Sequence, residues 1–395
     1  MSAPSVANVA HLAPLDGLRG IAIALVLWFH IWQITWLRAD IHVFGATLNL
    51  NAIPETGFVG VDLFFFISGF CLFYPYARTL VDGNPRPSLA TFAYRRCLKI
   101  LPSYYLSLAL VSALGLAHFV SPADALRQLA AHATFVHIFN DDTFGGLNGV
   151  LWSLAIEVQF YVVFPLVCWC ALRRPALTCA LLLVAAAAYR VVVASHADAA
   201  HQLEQLPGTI DLFAAGIFCA YAYRALAVRA PKLVARRAAW TAVALGGAAA
   251  SVWTFQSAFD ARVLTGWPGM WEVWGRSAMS LSFFIVTLGS LFAAPVWQRA
   301  LANPALVFLS MISYNLYLWH QVVVRALRDA HVPPWSGTDE HADPLWGLAY
   351  TAVSFTSTIV IAWALTRAVE QPVLRARPFE AALTSHKPLF RTEGV

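Results

Sequence analysis

Ten stretches of this 395-residue chain are each apolar over the roughly 20 residues needed to cross a ~30 Å hydrocarbon core. They fall near 15–37, 57–77, 100–120, 150–171, 176–195, 208–227, 238–257, 276–296, 303–323 and 346–368. A soluble fold has no place for that much apolar surface. Charged residues make up 12% of the chain, against about 25% in a soluble domain, so too few are present to clothe a water-facing exterior. The expected fold class is therefore an all-α polytopic membrane protein of about ten transmembrane helices.

The segments between the runs carry the breakers such a fold needs. Asp82-Gly83-Asn84-Pro85, Ser121-Pro122, Gly145-Gly146, Pro207-Gly208 and Pro333-Pro334 all mark turns. Met1 to Pro14 contains no Lys or Arg and lacks the architecture of a signal peptide, so the first apolar run is expected to stay as a helix. Residues 1–374 read as one membrane domain and 375–395 as a short cytoplasmic tail, with no soluble domain attached. Basic residues set the orientation. With the N-terminus in the cytoplasm, seventeen Lys and Arg fall on inside segments and five on outside ones. An even number of helices then puts both termini in the cytoplasm, as expected for a multi-pass protein of the cell inner (plasma) membrane.

The six cysteines lie in or beside apolar runs without zinc-like spacing, and they read as small core residues. No metal is expected. Nucleic acid is not an expected partner, because the basic residues sit in short loops without interleaved aromatics.

Ionisable residues at membrane depth are costly, so each is a functional candidate. Arg19 and His30 are eleven residues apart. A helix turns about 1100° over that span and rises ~16 Å, so both lie on one face. His30, Asp62, Glu157, Asp211 and His320 all fall at similar depth in the outer half of the membrane, as expected of one shared polar cavity, the alternative being separate helix–helix hydrogen bonds. Arg95, Arg96 and Lys99 cluster just before the third apolar run, either as an ordinary positive-inside loop or as a site for the phosphates of a cytoplasmic donor.

These same segments resemble the acyltransferase-3 family of bacterial integral membrane acyltransferases. Leu15-Asp16-Gly17-Leu18-Arg19-Gly20 followed by His30 is similar to that family's first helix. Gly57 to Phe70 resembles its second signature. Arg95-Arg96-Cys97-Leu98-Lys99-Ile100-Leu101-Pro102 is similar to its basic third segment, although members often carry Arg where Lys99 stands. Leu151-Trp152-Ser153-Leu154-Ala155-Ile156-Glu157 with Phe160-Tyr161 matches a fourth element. Asp211-Leu212-Phe213 with Gly216, Ser313-Tyr314 with Tyr317-Leu318 and His320, and Glu370-Gln371-Pro372 are weaker echoes.

The resemblance implies transfer of an acyl group, usually acetyl, from acyl-CoA to a hydroxyl of a carbohydrate or glycoconjugate. Some members carry an extracytoplasmic hydrolase-like domain, so here a separate extracytoplasmic transferase is a possible partner. Arg19, Arg95, Arg96 and Lys99 are the candidates to hold the donor phosphates while the pantetheine arm threads into the bundle. His30 would then be the general base, or a transient acyl carrier, with Asp62 or Glu157 orienting its ring. The alternative is a proton-coupled transporter or flippase of a glycoconjugate, against which stands the lack of a visible inverted repeat.

Overall fold

The computed structural model describes residues 12–43, 46–117, 119–194, 199–264, 271–335 and 343–376. In chain order the elements are α1 (Ala13–Thr35), a hairpin of β1 (Asp40–Val43) and β2 (Ala46–Asn49), α2 (Ala52–Glu55), α3 (Val59–Asp82), α4 (Leu89–Ala113) and α5 (Pro122–Ala133). After a 3₁₀ turn at His137–Phe139 come α6 (Leu151–Arg173), α7 (Pro175–Val193), α8 (Ala199–Leu203), α9 (Leu206–Arg229), α10 (Pro231–Val234) and α11 (Arg237–Leu264). A π turn at Trp271–Gly275 leads into α12 (Arg276–Phe292), followed by α13 (Pro295–Leu301), α14 (Pro304–Asp329) and α15 (Pro344–Leu365). A second π turn at Thr366–Glu370 continues α15 into α16 (Gln371–Ala376). The expected N-terminal stretch lies largely, and the 375–395 tail almost wholly, outside the described residues.

Among the described residues, nine helices are long and apolar enough to cross a membrane: α1, α3, α6, α7, α9, α11, α12, α14 and α15. The fold is thus the polytopic helical one the apolar runs require. Two details differ from expectation. The remaining expected span, the third, at 100–120, is α4, which begins eleven residues earlier at Leu89, where the Ser88 hydroxyl accepts from the Thr91 amide. Arg95, Arg96 and Lys99 therefore lie inside a 25-residue helix and not in a loop. Their charges are also what dilutes its hydropathy. The β-hairpin after α1 was not foreseen; it pairs Asp40 with Asn49 and Val43 with Ala46.

Helix packing depends on small residues, as membrane bundles do when hydrophobicity no longer distinguishes helix from lipid. A Cβ on Gly69 of α3 would stand 2.2 Å from the Phe213 carbonyl oxygen of α9, and one on Gly216 of α9 would stand 2.0 Å from the Phe66 carbonyl. Backbone meets backbone at this crossing, which only glycine permits. The same approach joins Gly60 of α3 to Ala22 of α1 at 2.3 Å. With α1, α3 and α9 thus fixed, their neighbours α6 and α14 complete a buried centre.

Candidate active site

That centre is not solid. Five helices enclose a cavity with about 130 Å³ of room for water-sized molecules. Four of them, α3, α4, α6 and α14, contribute residues at helical spacing and so turn one face inward, while α1 contributes Arg19. Arg19 comes from α1, Arg96 and Lys99 from α4, and Ser68 from α3. From α6 come Ser153, Glu157 and Tyr161, four residues apart in turn; from α14 come Ser313, Tyr314 and Tyr317.

One part of the wall is basic. Arg19 and Arg96 are half-buried, and the Arg96 guanidinium lies 5.9 Å from the centre of the Tyr161 ring. Lys99 reaches across to the buried carboxylate of Glu370 and lies 5.5 Å from the Tyr314 ring centre. The second Glu370 oxygen accepts from Asn315 Nδ2 at 2.9 Å. Arg95 is exposed and does not line the cavity. It sits about 100° round the helix from Arg96, so one α4 face cannot present both.

Glu157 sits in the same wall. Its Oε1 accepts from the Ser68 hydroxyl at 2.9 Å and from the Tyr161 hydroxyl at 2.5 Å. Farther along, the Tyr317 hydroxyl donates to the Val150 carbonyl at 2.9 Å and meets Ser153 Oγ at 2.5 Å.

Behind Tyr317 is the histidine. The Tyr317 and His320 rings are 5.6 Å apart at their centres, and the His320 and His30 rings 4.6 Å. His320 Nε2 lies 3.1 Å from His30 Nδ1. His30 itself is half-buried, and its Nδ1 is also 2.9 Å from the Val26 carbonyl oxygen of its own helix. Tyr317 is thus the residue between the cavity and the histidine pair.

The single cavity expected for five ionisable residues does not form. His30 and His320 meet, but Glu157 is held by Ser68 and Tyr161 among the cations instead. Asp211 is committed elsewhere, in an ion pair with Arg190 at 2.8 Å in which both side chains are fully buried. Asp62 is buried but does not line the cavity; it is turned about 100° round α3 from the cavity-facing side. The expected similarity in depth did not bring these residues to one place.

A family model described as an acyltransferase domain matches residues 12–367, which takes in every helix that lines the cavity. The chain belongs to the acyltransferase-3 family. Relatives include the peptidoglycan O-acetyltransferase OatA of Listeria monocytogenes, 28% identical over 168 residues that cover 39% of this chain and 24% of that protein. The putative membrane-bound transacylase BcsY of Komagataeibacter xylinus is 32% identical over 161 residues, 38% of this chain and 35% of its own length. The match thus spans about a quarter to a third of those relatives. Nodulation protein 10 of Rhizobium leguminosarum bv. viciae is 24% identical over 402 residues, covering 93% of this chain and 94% of the relative.

The acyltransferase-3 segments are the ones that build the cavity, but sequence reasoning missed several of its residues. Tyr161, Tyr314 and Tyr317 were part of the matching motifs without a role. Their hydroxyl neighbours gave a signal: Ser153, Glu157 and Tyr161 at four-residue intervals place three polar groups on one face of an otherwise apolar helix, which lipid does not tolerate. The Lys99–Glu370 and His30–His320 pairs carry no such signal, since each joins residues more than 250 positions apart.

Proposed function

We propose that this protein is a membrane O-acyltransferase, in the first instance an O-acetyltransferase, that moves an acyl group from cytoplasmic acyl-CoA to a hydroxyl of a carbohydrate or glycoconjugate. The observation that carries this reading is the continuity of the site. A cavity with Arg19, Arg96 and Lys99 in its wall extends to Tyr317, which packs on the His320–His30 pair. Guanidinium and ammonium groups are the natural holders of phosphate. The thioester of a donor anchored there would lie inside the protein, on the way to the imidazole. The basic helix ends support an orientation with this mouth in the cytoplasm, as the loop charges also require.

In this reading His30 Nε2 takes the proton of the acceptor hydroxyl as its oxygen attacks the thioester carbonyl. The carbon–sulfur bond breaks, and the thiolate leaves with the proton as the CoA thiol. Glu157, fixed by two hydroxyl donors, lines the same wall as the cations and sets the edge of the space left for the donor. The names of the relatives, peptidoglycan O-acetyltransferases among them, support a carbohydrate acceptor.

The test uses full-length protein in lipid nanodiscs, incubated with acetyl-CoA and candidate glycan acceptors. Acceptor-dependent release of CoA, with an acylated product by mass spectrometry, is expected. If wild-type protein moves a glycoconjugate across the bilayer while no acyl product forms with any acceptor, the transporter reading replaces this one.

A further inference from the structure

His30 has one ring nitrogen in a defined contact pattern, and the proton positions follow from its neighbours. His320 Nδ1 faces two backbone carbonyls of its own helix, Tyr317 O at 2.8 Å and Leu316 O at 3.2 Å. A carbonyl oxygen only accepts, so His320 Nδ1 carries a hydrogen. A neutral imidazole has one hydrogen, so His320 Nε2 is a bare lone pair, and it points at His30 Nδ1 from 3.1 Å. His30 Nδ1 also faces the Val26 carbonyl at 2.9 Å. Both neighbours are acceptors, so His30 Nδ1 is the protonated nitrogen, and the lone pair of His30 is left on Nε2.

We infer that His320 is a positioning residue for acyl transfer: it holds His30 in the Nδ1–H tautomer, exposes the Nε2 lone pair to the acceptor hydroxyl, and accepts a charge-assisted hydrogen bond when His30 becomes an imidazolium. This rests on the proposed role of His30 as base and assigns the orienting task, expected of Asp62 or Glu157, to a neutral ring. A neutral acceptor suits the location. His320 is fully buried, and an ionised carboxylate in its place would carry a large desolvation cost. The imidazole strengthens its bond only when His30 charges, that is, in the step that needs stabilising. His320 in turn is fixed by the carbonyls of Leu316 and Tyr317, so the relay begins in backbone that α14 cannot easily rearrange.

Two measurements test this on the full-length protein. The first is independent of activity. Nitrogen-15 spectra of histidine-labelled protein in nanodiscs, with the His30 and His320 signals assigned by their loss in His30→Gln and His320→Gln, should show Nε2 unprotonated in both rings. A proton on Nε2 of either ring overturns the inference. The second is kinetic. His320→Ala should lower kcat about 10–100-fold, the scale of loss when a metal-bound histidine loses its hydrogen-bond partner, with KM for acetyl-CoA unchanged. His320→Gln, whose amide oxygen can accept from His30 Nδ1–H, should recover most of that loss; a purely structural role predicts no such recovery in correctly folded protein. Unchanged turnover in His320→Ala, with His30→Ala inactive, overturns the role of His320 and leaves the base intact. Full activity in His30→Gln removes the base, and the role of His320 with it.

Discussion

Lys99 and Glu370, 271 residues apart, form an ion pair that ties α4 to the turn following α15, and Lys99 lines the cavity from that position. The pair shapes the basic mouth and also anchors the last helix. Glu370→Ala would leave Lys99 without its counter-charge and Asn315 without one of its acceptors. A loss of about 1–3 kcal/mol is expected, read as an earlier thermal unfolding midpoint in detergent. Lys99→Arg, which keeps the charge, should unfold near the wild-type temperature. An unchanged midpoint in Glu370→Ala would show that the pair contributes nothing.

Arg190 is a fully buried cation paired with a carboxylate. It donates to Asp211 Oδ2 at 2.8 Å, to Ser277 Oγ at 2.6 Å and to the carbonyls of Val273 and Gly208 at 3.0 and 2.6 Å. These contacts knit α7, α9 and α12 together. Asp211→Ala strands a buried guanidinium and should cost about 3–5 kcal/mol. The double change Arg190→Met with Asp211→Leu should recover much of that loss. None of these residues lines the cavity, so the folded fraction of either variant should keep the wild-type KM for acetyl-CoA. A double variant no more stable than Asp211→Ala would argue against the stranded charge as the cause.

These two pairs show what the sequence made legible. Helices were readable because each membrane span must satisfy its own backbone and clothe itself in apolar side chains, so the signal is local. Arg19 was readable for the same reason, since charge at membrane depth stands out, whereas Arg96 and Lys99 were readable only as a basic cluster before the third apolar run. Partner choice was not. Asp211 and Glu157 look alike in sequence, and only the crossing of α7 with α9 gives the former to Arg190. Likewise Asp62 and His320 compete on equal terms for His30 until α14 lies against α1.

Outside the membrane spans, His132 and His137 stack with ring centres 4.0 Å apart and no solvent exposure. Burial lowers both from the ordinary value of 6.5, and with the neighbouring ring it brings His137 down to about 3. The folded state therefore holds these rings neutral, while the unfolded chain would bind protons below pH 6.5. Their contribution to stability is complete above that pH and is lost as pH falls toward 3. Protection of residues 122–139 against hydrogen exchange, corrected for the intrinsic pH dependence of amide exchange, should fall over this window in wild type. His137→Phe keeps a ring and cannot take a proton, so its exchange should depend less on pH. Equal pH dependence in the two proteins would exclude the histidine pair as the cause.

Orientation is open to direct chemistry. Asn84 lies in the short turn between α3 and α4, beside the Arg224–Asp82 ion pair at 2.8 Å. That end of the bundle is expected to face the cytoplasm. A cysteine placed at Asn84, with the accessible native cysteines replaced, should resist an impermeant thiol reagent in intact cells and react after permeabilisation. Labelling in intact cells would invert the topology, and the donor would then have to arrive from the other side.

The strongest division of labour lies along α1, where Arg19 lines the cavity and His30 sits about 16 Å farther along the helix at the histidine pair. If the first binds donor and the second does chemistry, their loss should affect different kinetic constants. Arg19→Ala removes a charge-assisted hydrogen bond to phosphate, about 1.5–3 kcal/mol. It should therefore raise KM for acetyl-CoA roughly 10–100-fold, with a smaller effect on kcat. His30→Ala removes a base that contributes about 10²–10⁴ in rate, so kcat should fall by that factor while acetyl-CoA still binds. His30→Gln keeps size and polarity but takes up no proton, and it should be nearly as inactive. Arg95→Ala, exposed and outside the cavity, should change KM least of the basic residues. Calorimetric binding of acetyl-CoA, measured beside turnover on the same preparations, separates the two effects from misfolding. If Arg19→Ala and His30→Ala lost kcat alike with unchanged donor affinity, the basic wall would not be the donor site, and Arg19 would have to act on the reacting groups.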